Sequence, residues 1–359
     1  MALRARTFEH DELTTTALRG SLSSHASVAV EAPQLSVVIV NFCQWKNTAL
    51  LTRLLRQSEA IRSGAAEIVI VDNHSPPAKP SRILSRLSGV TVHENDSNEG
   101  FARAVNRGSR ISRGEWMLLL NPDCTVPIGF LDEVLKSAQR WPDHDDRAAI
   151  VGFGLRNPDG SAQAGVGRYP TLLRTLAGLC SPRSLRKCRV ISGTSRQAVP
   201  WVTGGCLLVR RDCYDDLGGL DERFFLYYED VDFCRRAQER GWSVWYDPGL
   251  QVTHHWPLHV RQVPPALRLV TRHALLTYSR KHWDRIPSAL LHGIVWLEAQ
   301  VRELASRCRG DAEAAECFRE LRRLVADLHR GRAESVADRI QHAAALLYET
   351  AAVQDGRTS

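Results

Sequence analysis

Between Leu35 and Arg140 the chain alternates four times between a short apolar run and a helical pattern. The runs are Leu35-Ser-Val-Val-Ile-Val-Asn-Phe42, Glu67-Ile-Val-Ile-Val-Asp72, Val90-Thr-Val-His-Glu94 and Glu115-Trp-Met-Leu-Leu-Leu-Asn121. The first is continuous and β-branched, as in a strand buried on both faces of a parallel sheet. Helical patterns follow over 47–62, in a short stretch ending at Leu87, and over 100–112 and 128–140. Leu50, Leu51, Leu54 and Leu55 share one face of the first. This alternation predicts a doubly wound, mostly parallel α/β sheet.

The flanking regions are less regular. Residues 1–34 are rich in Ser, Thr, Ala and Arg, lack periodicity and are expected to be a disordered tail. A strand is expected over 148–155, and a long, lid-like loop over 161–198. Trp201 to Val209 is expected as one strand carrying Gly204 and Gly205, and short strands over 243–246 and 252–255. From Pro264 onward the pattern is helical, with Pro287 separating one helix from the next, and further segments about 312–328 and 334–351. These helices are amphipathic and Arg-rich. They suit a bundle or a homo-oligomer contact, or a peripheral membrane contact.

Composition narrows the setting. No apolar run reaches the length of a membrane span, and the first residues lack the apolar core of a signal peptide. The nine cysteines include no C-x-x-C pair, which suggests reduced thiols and a cytoplasmic protein, with peripheral attachment at the inner face of the membrane left open. A net charge of +7 suits an anionic ligand or an acidic surface. Nucleic acid is disfavoured, because the cations are scattered and no finger spacing occurs.

Ligands of open α/β sheets bind beyond the carboxyl ends of the strands. Those ends carry Asn41, Asp72-Asn73 and Asn121-Pro122-Asp123. No G-x-G-x-x-G follows the first strand and no Walker lysine occurs, which excludes the common dinucleotide and P-loop designs. Asp72 can accept hydrogen bonds from a base or ribose, or cap a turn. Asp123 can hold Mg²⁺ or Mn²⁺ against a diphosphate, or form an Asx turn. Asn98-Glu-Gly100-Phe-Ala-Arg103 opens a helix whose N–H groups, with Arg103, can face a phosphate. His254 closes a late strand and would complete a metal site if it lay near Asp123. In Phe224 to Arg236, five aromatics flank Glu229, Asp230 and Asp232. A partly dry carboxylate suits proton transfer, and acids in a first helical turn also suit the dipole.

Taken in order, Val37-Val-Ile-Val-Asn41, Val69-Ile-Val-Asp-Asn73, Asn98-x-Gly100-Phe-Ala-x-Ala-x-Asn106-x-Gly108, Leu119-Leu-Asn-Pro-Asp123, Gly204-Gly-Cys-Leu-Leu-Val-Arg210, Gly219-Leu-Asp-Glu-x-Phe-Phe225 and Glu229-Asp-Val-Asp232 resemble the family 2 glycosyltransferases, in their rhamnosyltransferase-like branch. The resemblance covers roughly residues 35–283 and leaves 284–359 as a helical extension. It implies a Rossmann-like GT-A fold and inverting transfer from a nucleotide-diphosphate sugar to a hydroxyl. By motif, Asp72 would bind the base, Asp123 the metal and diphosphate, and His254 the metal. Asn41, Asn98, Gly100, Arg103 and Asn121 would line the nucleotide-sugar site. Asp230 would be the general base and Glu229 its supporting acid, with the neighbouring Phe and Tyr residues as acceptor-side walls and Asp232 as a structural residue at the helix start.

One departure is His255-Trp-Pro-Leu-His259, where family members often carry Gly-Gly-x-Ser. Tyr278-Ser-Arg-Lys-His282 resembles a basic segment of the same branch, whose cations can meet phosphate or simply end a helix. The resemblance makes a dTDP-rhamnose donor the first expectation and UDP-sugars the next. The acceptor would be a glycan, a lipid-linked saccharide or a small molecule. A non-catalytic sugar-nucleotide-binding scaffold on the same fold is the competing reading.

Overall fold

The computed structural model describes residues 32–75, 79–179, 188–191, 193, 195–255 and 264–356. The tail expected over 1–34 lies, through residue 31, outside these, as do 256–259 of the departing segment and 180–187 of the expected loop.

The main sheet runs in the order Val90–Glu94, Ala66–Asp72, Leu35–Asn41, Trp116–Leu120, Cys206–Arg210, Ala148–Arg156, Ser243–His254, Cys124–Thr125. The first four strands are mutually parallel. Cys206–Arg210 is antiparallel to both neighbours, and Ser243–His254 runs parallel to Ala148–Arg156. The α/β expectation therefore holds, with antiparallel strands inserted in the second half.

The continuous apolar runs have a direct cause. Leu35, Val37 and Ile39 point into one core, Val38 and Val40 into another on the opposite face. Both faces are covered, so no position on the strand can be polar without a buried partner. Buried residues of the Phe101–Ile111 helix, including Ala102 and Val105, pack on the second face, and those of the Phe130–His144 helix on the first.

Several boundaries differ from expectation. The helix expected over 47–62 is two, Trp45–Leu55 and Glu59–Arg62, separated by a turn at Gln57 and Ser58. Residues Trp201 to Val209 form two strands rather than one. Trp201–Val202 pairs with Val166–Gly167 in a separate two-stranded sheet, and Cys206–Arg210 joins the main sheet. Gly204 and Gly205 lie in the turn between them. The stretch expected as a loop over 161–198 contains Ala162–Gln163, Val166–Gly167 and the Leu172–Leu179 helix. Ser243–His254 is one strand, with its register shifted between Asp247 and Gln251 around Pro248 and Gly249.

Four helices follow: Pro265–His282, Arg285–Cys308, Ala312–His329 and Ala333–Gly356. Their shared core contains Leu269, Val270, Leu276, Leu291, Val295 and Phe318. The Pro265–His282 helix also gives Ala274 and Tyr278 to the sheet's second core, which ties the two regions together. The break expected at Pro287 falls earlier, at Trp283 and Asp284. Pro287 sits in the first turn of the next helix, where its missing N–H has no intrahelical partner to lose.

Candidate active site

Strand ends bring the predicted polar residues to one edge of the sheet. Asn41 and Asp72 are register partners on neighbouring strands. Asn41 Nδ2 donates to Asp72 Oδ1 at 2.6 Å, and Thr48 Oγ1 donates to Asn41 Oδ1 at 2.6 Å. Ser75 adds its hydroxyl to Asp72 Oδ1 at 2.5 Å and its amide to Oδ2 at 2.9 Å. Asp72 is thus buried and oriented before any ligand arrives. A carboxylate has about four acceptor sites, so capacity remains on Oδ2.

Asn73 is a residue whose role the sequence did not reveal. Its Nδ2 donates to Asn98 Oδ1 at 2.7 Å and to the Gly100 carbonyl at 3.2 Å. Its Oδ1 accepts from Asn95 Nδ2 and the Glu99 amide, both at 3.1 Å. The side chain pins the loop that opens the Phe101–Ile111 helix. Asn98 Oδ1 also takes the Gly100 amide at 3.1 Å, so this expected ligand residue shapes the loop from within. Arg103 lies on the helix flank, 3.2 Å from Glu222 and half-exposed. Gly100 has φ +87°, and a Cβ there would lie 2.6 Å from the Phe225 carbonyl oxygen. Only glycine meets both demands.

Among the described residues, the non-glycine positions with positive φ are Cys43, His74, Tyr227 and Tyr228. Two follow the strand ends of Asn41 and Asp72, and two precede Glu229. Such conformations cost on the order of 1–3 kcal/mol each and persist where the surroundings over-determine them.

Farther along the sheet, Asp123 and His254 meet. His254 pairs in register with Cys124, and the His255 amide donates to the Asp123 carbonyl at 3.0 Å. His254 Nε2 lies 3.4 Å from Asp123 Oδ1. Two donor atoms each about 2 Å from one ion, at roughly right angles, lie about 3 Å apart, so this pair fits a shared divalent cation. His254 Nδ1 donates to Gln163 Oε1 at 2.7 Å. Gln163 Nε2 in turn donates to Asn157 Oδ1 at 2.8 Å and to the His254 carbonyl at 3.2 Å, which settles which way the amide points. Nδ1 therefore carries a proton and Nε2 is the nitrogen that faces Asp123, as metal-binding histidines are usually oriented. Gln163 went unnoticed because it stands in a stretch without pattern.

Cys124 completes the cluster of donor atoms, all within 4.8 Å of one another. Burial, and then the charge of Asp123, push its thiol well above the usual range. It stays protonated, with Sγ 3.6 Å from the Gly205 carbonyl. A neutral thiol is a poor ligand for Mg²⁺ or Mn²⁺.

Asp230 enters from the first turn of the Glu229–Glu239 helix, whose dipole favours its charge. Its Oδ2 accepts the Gly204 amide at 3.2 Å and its Oδ1 the Val231 amide at 2.8 Å. The adjacent Gly205 is close to the Asp123 and His254 end: a Cβ there would lie 3.9 Å from both Asn121 Nδ2 and His254 Cε1. The Gly204-Gly205 turn therefore joins Asp230 to the Asn121, Asp123 and His254 end. Glu229 is buried beside Asp230.

Asp232 does more than start the helix. Fully buried, it binds Arg236 Nε at 2.8 Å, Lys281 Nζ at 2.7 Å and His282 Nε2 at 2.6 Å. Burial alone would raise its pKa, but the His282 hydrogen bond and the charges of Arg236 and Lys281 hold it below the usual carboxylate range. Lys281 also reaches Asp221 at 2.6 Å. Lys281 and His282 of the expected phosphate-facing segment are thus spent on acids of this chain and fasten the Asp230 helix to the C-terminal helices, while Arg280 donates to the Leu328 carbonyl. One of the expected aromatic walls is corrected too. Phe224 is fully buried in the sheet core, while Phe225, Leu226 and Tyr228 pack against the C-terminal helices. The Phe225 carbonyl accepts from the Phe101 amide at 2.6 Å.

A family model described as glycosyl transferase family 2 matches residues 36–218, and one described as glycosyl transferase family group 2 matches residues 160–300. The N-acetylglucosaminyl-diphospho-decaprenol L-rhamnosyltransferase of Mycobacterium tuberculosis is 32% identical over 262 residues, which cover 66% of this chain and 83% of that protein. The rhamnosyltransferase WbbL of Escherichia coli is 33% identical over 174 residues, covering 48% of this chain and 64% of that one. Among solved structures, the mannosyltransferase PcManGT from Pyrobaculum calidifontis, in complex with GDP-Man and Mn²⁺, superposes with a TM-score of 0.46 at 18% identity, over 90% of this chain and 84% of that one.

Proposed function

The chain belongs to glycosyl transferase family 2, and from that membership we propose an inverting, metal-assisted transfer of rhamnose from a nucleotide-diphosphate sugar to a hydroxyl of a lipid-linked saccharide. That the chain is a glycosyltransferase follows from the family and its relatives. The choice of rhamnose rests on the names of two relatives, and the lipid-diphosphate acceptor on the name of one. Residues 35–283 would be the transferase domain and 284–359 an accessory extension.

The single observation that carries the mechanism is the Gly204-Gly205 turn, with Asp230 on one side and His254 and Asn121 on the other. Asp230 would take the proton from the acceptor hydroxyl. The oxygen then attacks the anomeric carbon from the face opposite the leaving diphosphate, which inverts the configuration. A buried carboxylate is suited to this work because water is largely excluded around it. Asp123 and His254 would hold a Mg²⁺ or Mn²⁺ ion, whose charge, when bound, stabilises the departing diphosphate. Gln163 would keep His254 in its binding tautomer. Asn41, Asp72 and Ser75 would receive the base end of the nucleotide, with the loop pinned by Asn73 beside it.

The test is a transfer assay with dTDP-rhamnose and a prenyl-diphospho-N-acetylglucosamine acceptor, with Mn²⁺ present. Release of dTDP and a product of inverted anomeric configuration by NMR is expected. A product that keeps the donor's configuration contradicts the proposal, and turnover with UDP-sugars alone would reassign the donor.

A further inference from the structure

An oxygen, a sulfur and a nitrogen donor converge where Cys124–Thr125 pairs with Ser243–His254. The pairing is antiparallel and sets Cys124 opposite His254, so both side chains rise from the same face of the sheet. Asp123 precedes the short strand in a turn, and its carboxylate reaches the same point. The donor atoms of Asp123, Cys124 and His254 lie within 4.8 Å of one another. Asp123 and Cys124 are buried. Among the described residues, no other three His, Cys, Asp or Glu side chains gather in this way.

Spacing and donor type select the ion. Two ligand atoms about 2 Å from an ion stand about 3 Å apart at right angles and about 3.4 Å apart at tetrahedral angles. Asp123 Oδ1 and His254 Nε2 are 3.4 Å apart. A thiolate about 2.3 Å from the same ion would stand about 3.6 Å from each of them, so Cys124 Sγ has to close by about 1 Å at most. Carboxylate, thiolate and imidazole together suit Zn²⁺ and its analogue Co²⁺, whereas Mg²⁺ and Mn²⁺ gain little from sulfur. The surroundings allow the change. Gln163 already orients His254 through Nδ1. The Gly205 carbonyl, which faces Sγ at 3.6 Å, also accepts the Asn121 amide at 3.1 Å and keeps that partner when the thiol turns to an ion.

We infer that Asp123, Cys124 and His254 form a three-residue site for Zn²⁺, which competes there with Mg²⁺ or Mn²⁺. On binding, the Cys124 proton passes to solvent and the thiolate bonds to the ion. The fourth position stays open, as in other zinc sites with three protein ligands. The inference rests on the reading of Asp123 and His254 as metal ligands and adds Cys124 to them. Under that reading zinc is an inhibitor. A tetrahedral ion with three protein ligands leaves one position for the diphosphate and water, where an octahedral ion held by two leaves four.

The test is a spectroscopic titration of the full chain with Co²⁺, without donor or acceptor, so its outcome is independent of the transfer reaction. A sulfur-to-cobalt charge-transfer band and the strong visible absorption of a tetrahedral ion are expected, and stoichiometric Zn²⁺ should abolish both. Cys124→Ser, and Cys124→Ala with the wild-type circular dichroism spectrum, should lose the charge-transfer band and weaken Co²⁺ binding at least about tenfold, while Mn²⁺ binding by calorimetry stays unchanged. Cys308→Ser, which removes an exposed thiol elsewhere, should keep the band. A Co²⁺ spectrum without sulfur charge transfer, or a band that survives in both Cys124 variants, overturns the proposal. If Mn²⁺ binds all the same, only the part given to Cys124 falls; if neither ion binds, the metal reading of Asp123 and His254 falls with it.

Discussion

The strand-end site and the C-terminal helices solve opposite problems. At the strand ends nearly every polar side chain is fixed by a buried partner, and two non-glycine residues there and two before Glu229 hold positive φ. In the helices polar groups are spent on ion pairs such as Glu298 with Arg272, while large apolar side chains face outward. The difference matches what the proposed chemistry would ask of the strand-end site. Proton transfer and metal binding depend on placement to a fraction of an ångström, so the chain accepts strain to secure it. Asp232 links the two, since its partners Lys281 and His282 belong to the helical region while Asp230 stands two residues away.

The comparison predicts that substitutions in the two regions act on different quantities. The largest effect is expected at Asp230. Asp230→Asn should cut turnover about 10²–10⁴-fold in a steady-state transfer assay, because general-base catalysis typically contributes that much. Near-normal turnover would remove Asp230 from its role and leave the site without a base.

A smaller effect separates the regions by pH. His273 and His292 are buried in the helical region, and burial lowers both pKa values to about 4. For His292 the nearby Arg280 and His329 lower it further. The unfolded chain binds these protons near pH 6.5, the folded chain only near 4, so stability falls as pH falls through that window. Each histidine should cost about 1 kcal/mol between about pH 7 and pH 5.5. Asp232 acts in the same sense but in a lower pH window. Its depressed pKa gives stability that is present above the ordinary carboxylate value and lost only as pH falls below it. Thermal melts at the two pH values should show the loss, and His292→Gln should flatten it. A stability that is flat over this range would contradict the account of the helical core.

Much of the first half of the fold was legible. Runs such as Leu35 to Val40 face two cores at once, and that double burial writes itself as unbroken β-branched sequence. The strand-end residues followed, because strand ends are where this architecture exposes polar groups. Trp201 to Val209 misled for the same reason. A continuous apolar run does not say which sheet each half joins, so the Gly204-Gly205 turn that joins the site was read as strand interior. Asn73, Gln163 and the partners of Asp232 act through residues remote in sequence, from Gln163 on His254 to Lys281 on Asp232. No local pattern marks such long-range hydrogen bonds. The outward apolar face was also hidden, since helical periodicity shows that a helix has an apolar side but not that it has two.

The central claim is a division of labour across the Gly204-Gly205 turn, with Asp123 and His254 serving the metal and diphosphate and Asp230 serving the acceptor proton. Calorimetric titration of the nucleoside diphosphate, with and without Mn²⁺, into the wild-type chain, Asp123→Ala and Asp230→Asn tests it most directly. Mn²⁺ should strengthen binding equally in the wild type and in Asp230→Asn, and should have no effect in Asp123→Ala. Mn²⁺-dependent binding that survives in Asp123→Ala, or is lost in Asp230→Asn, would contradict the claim.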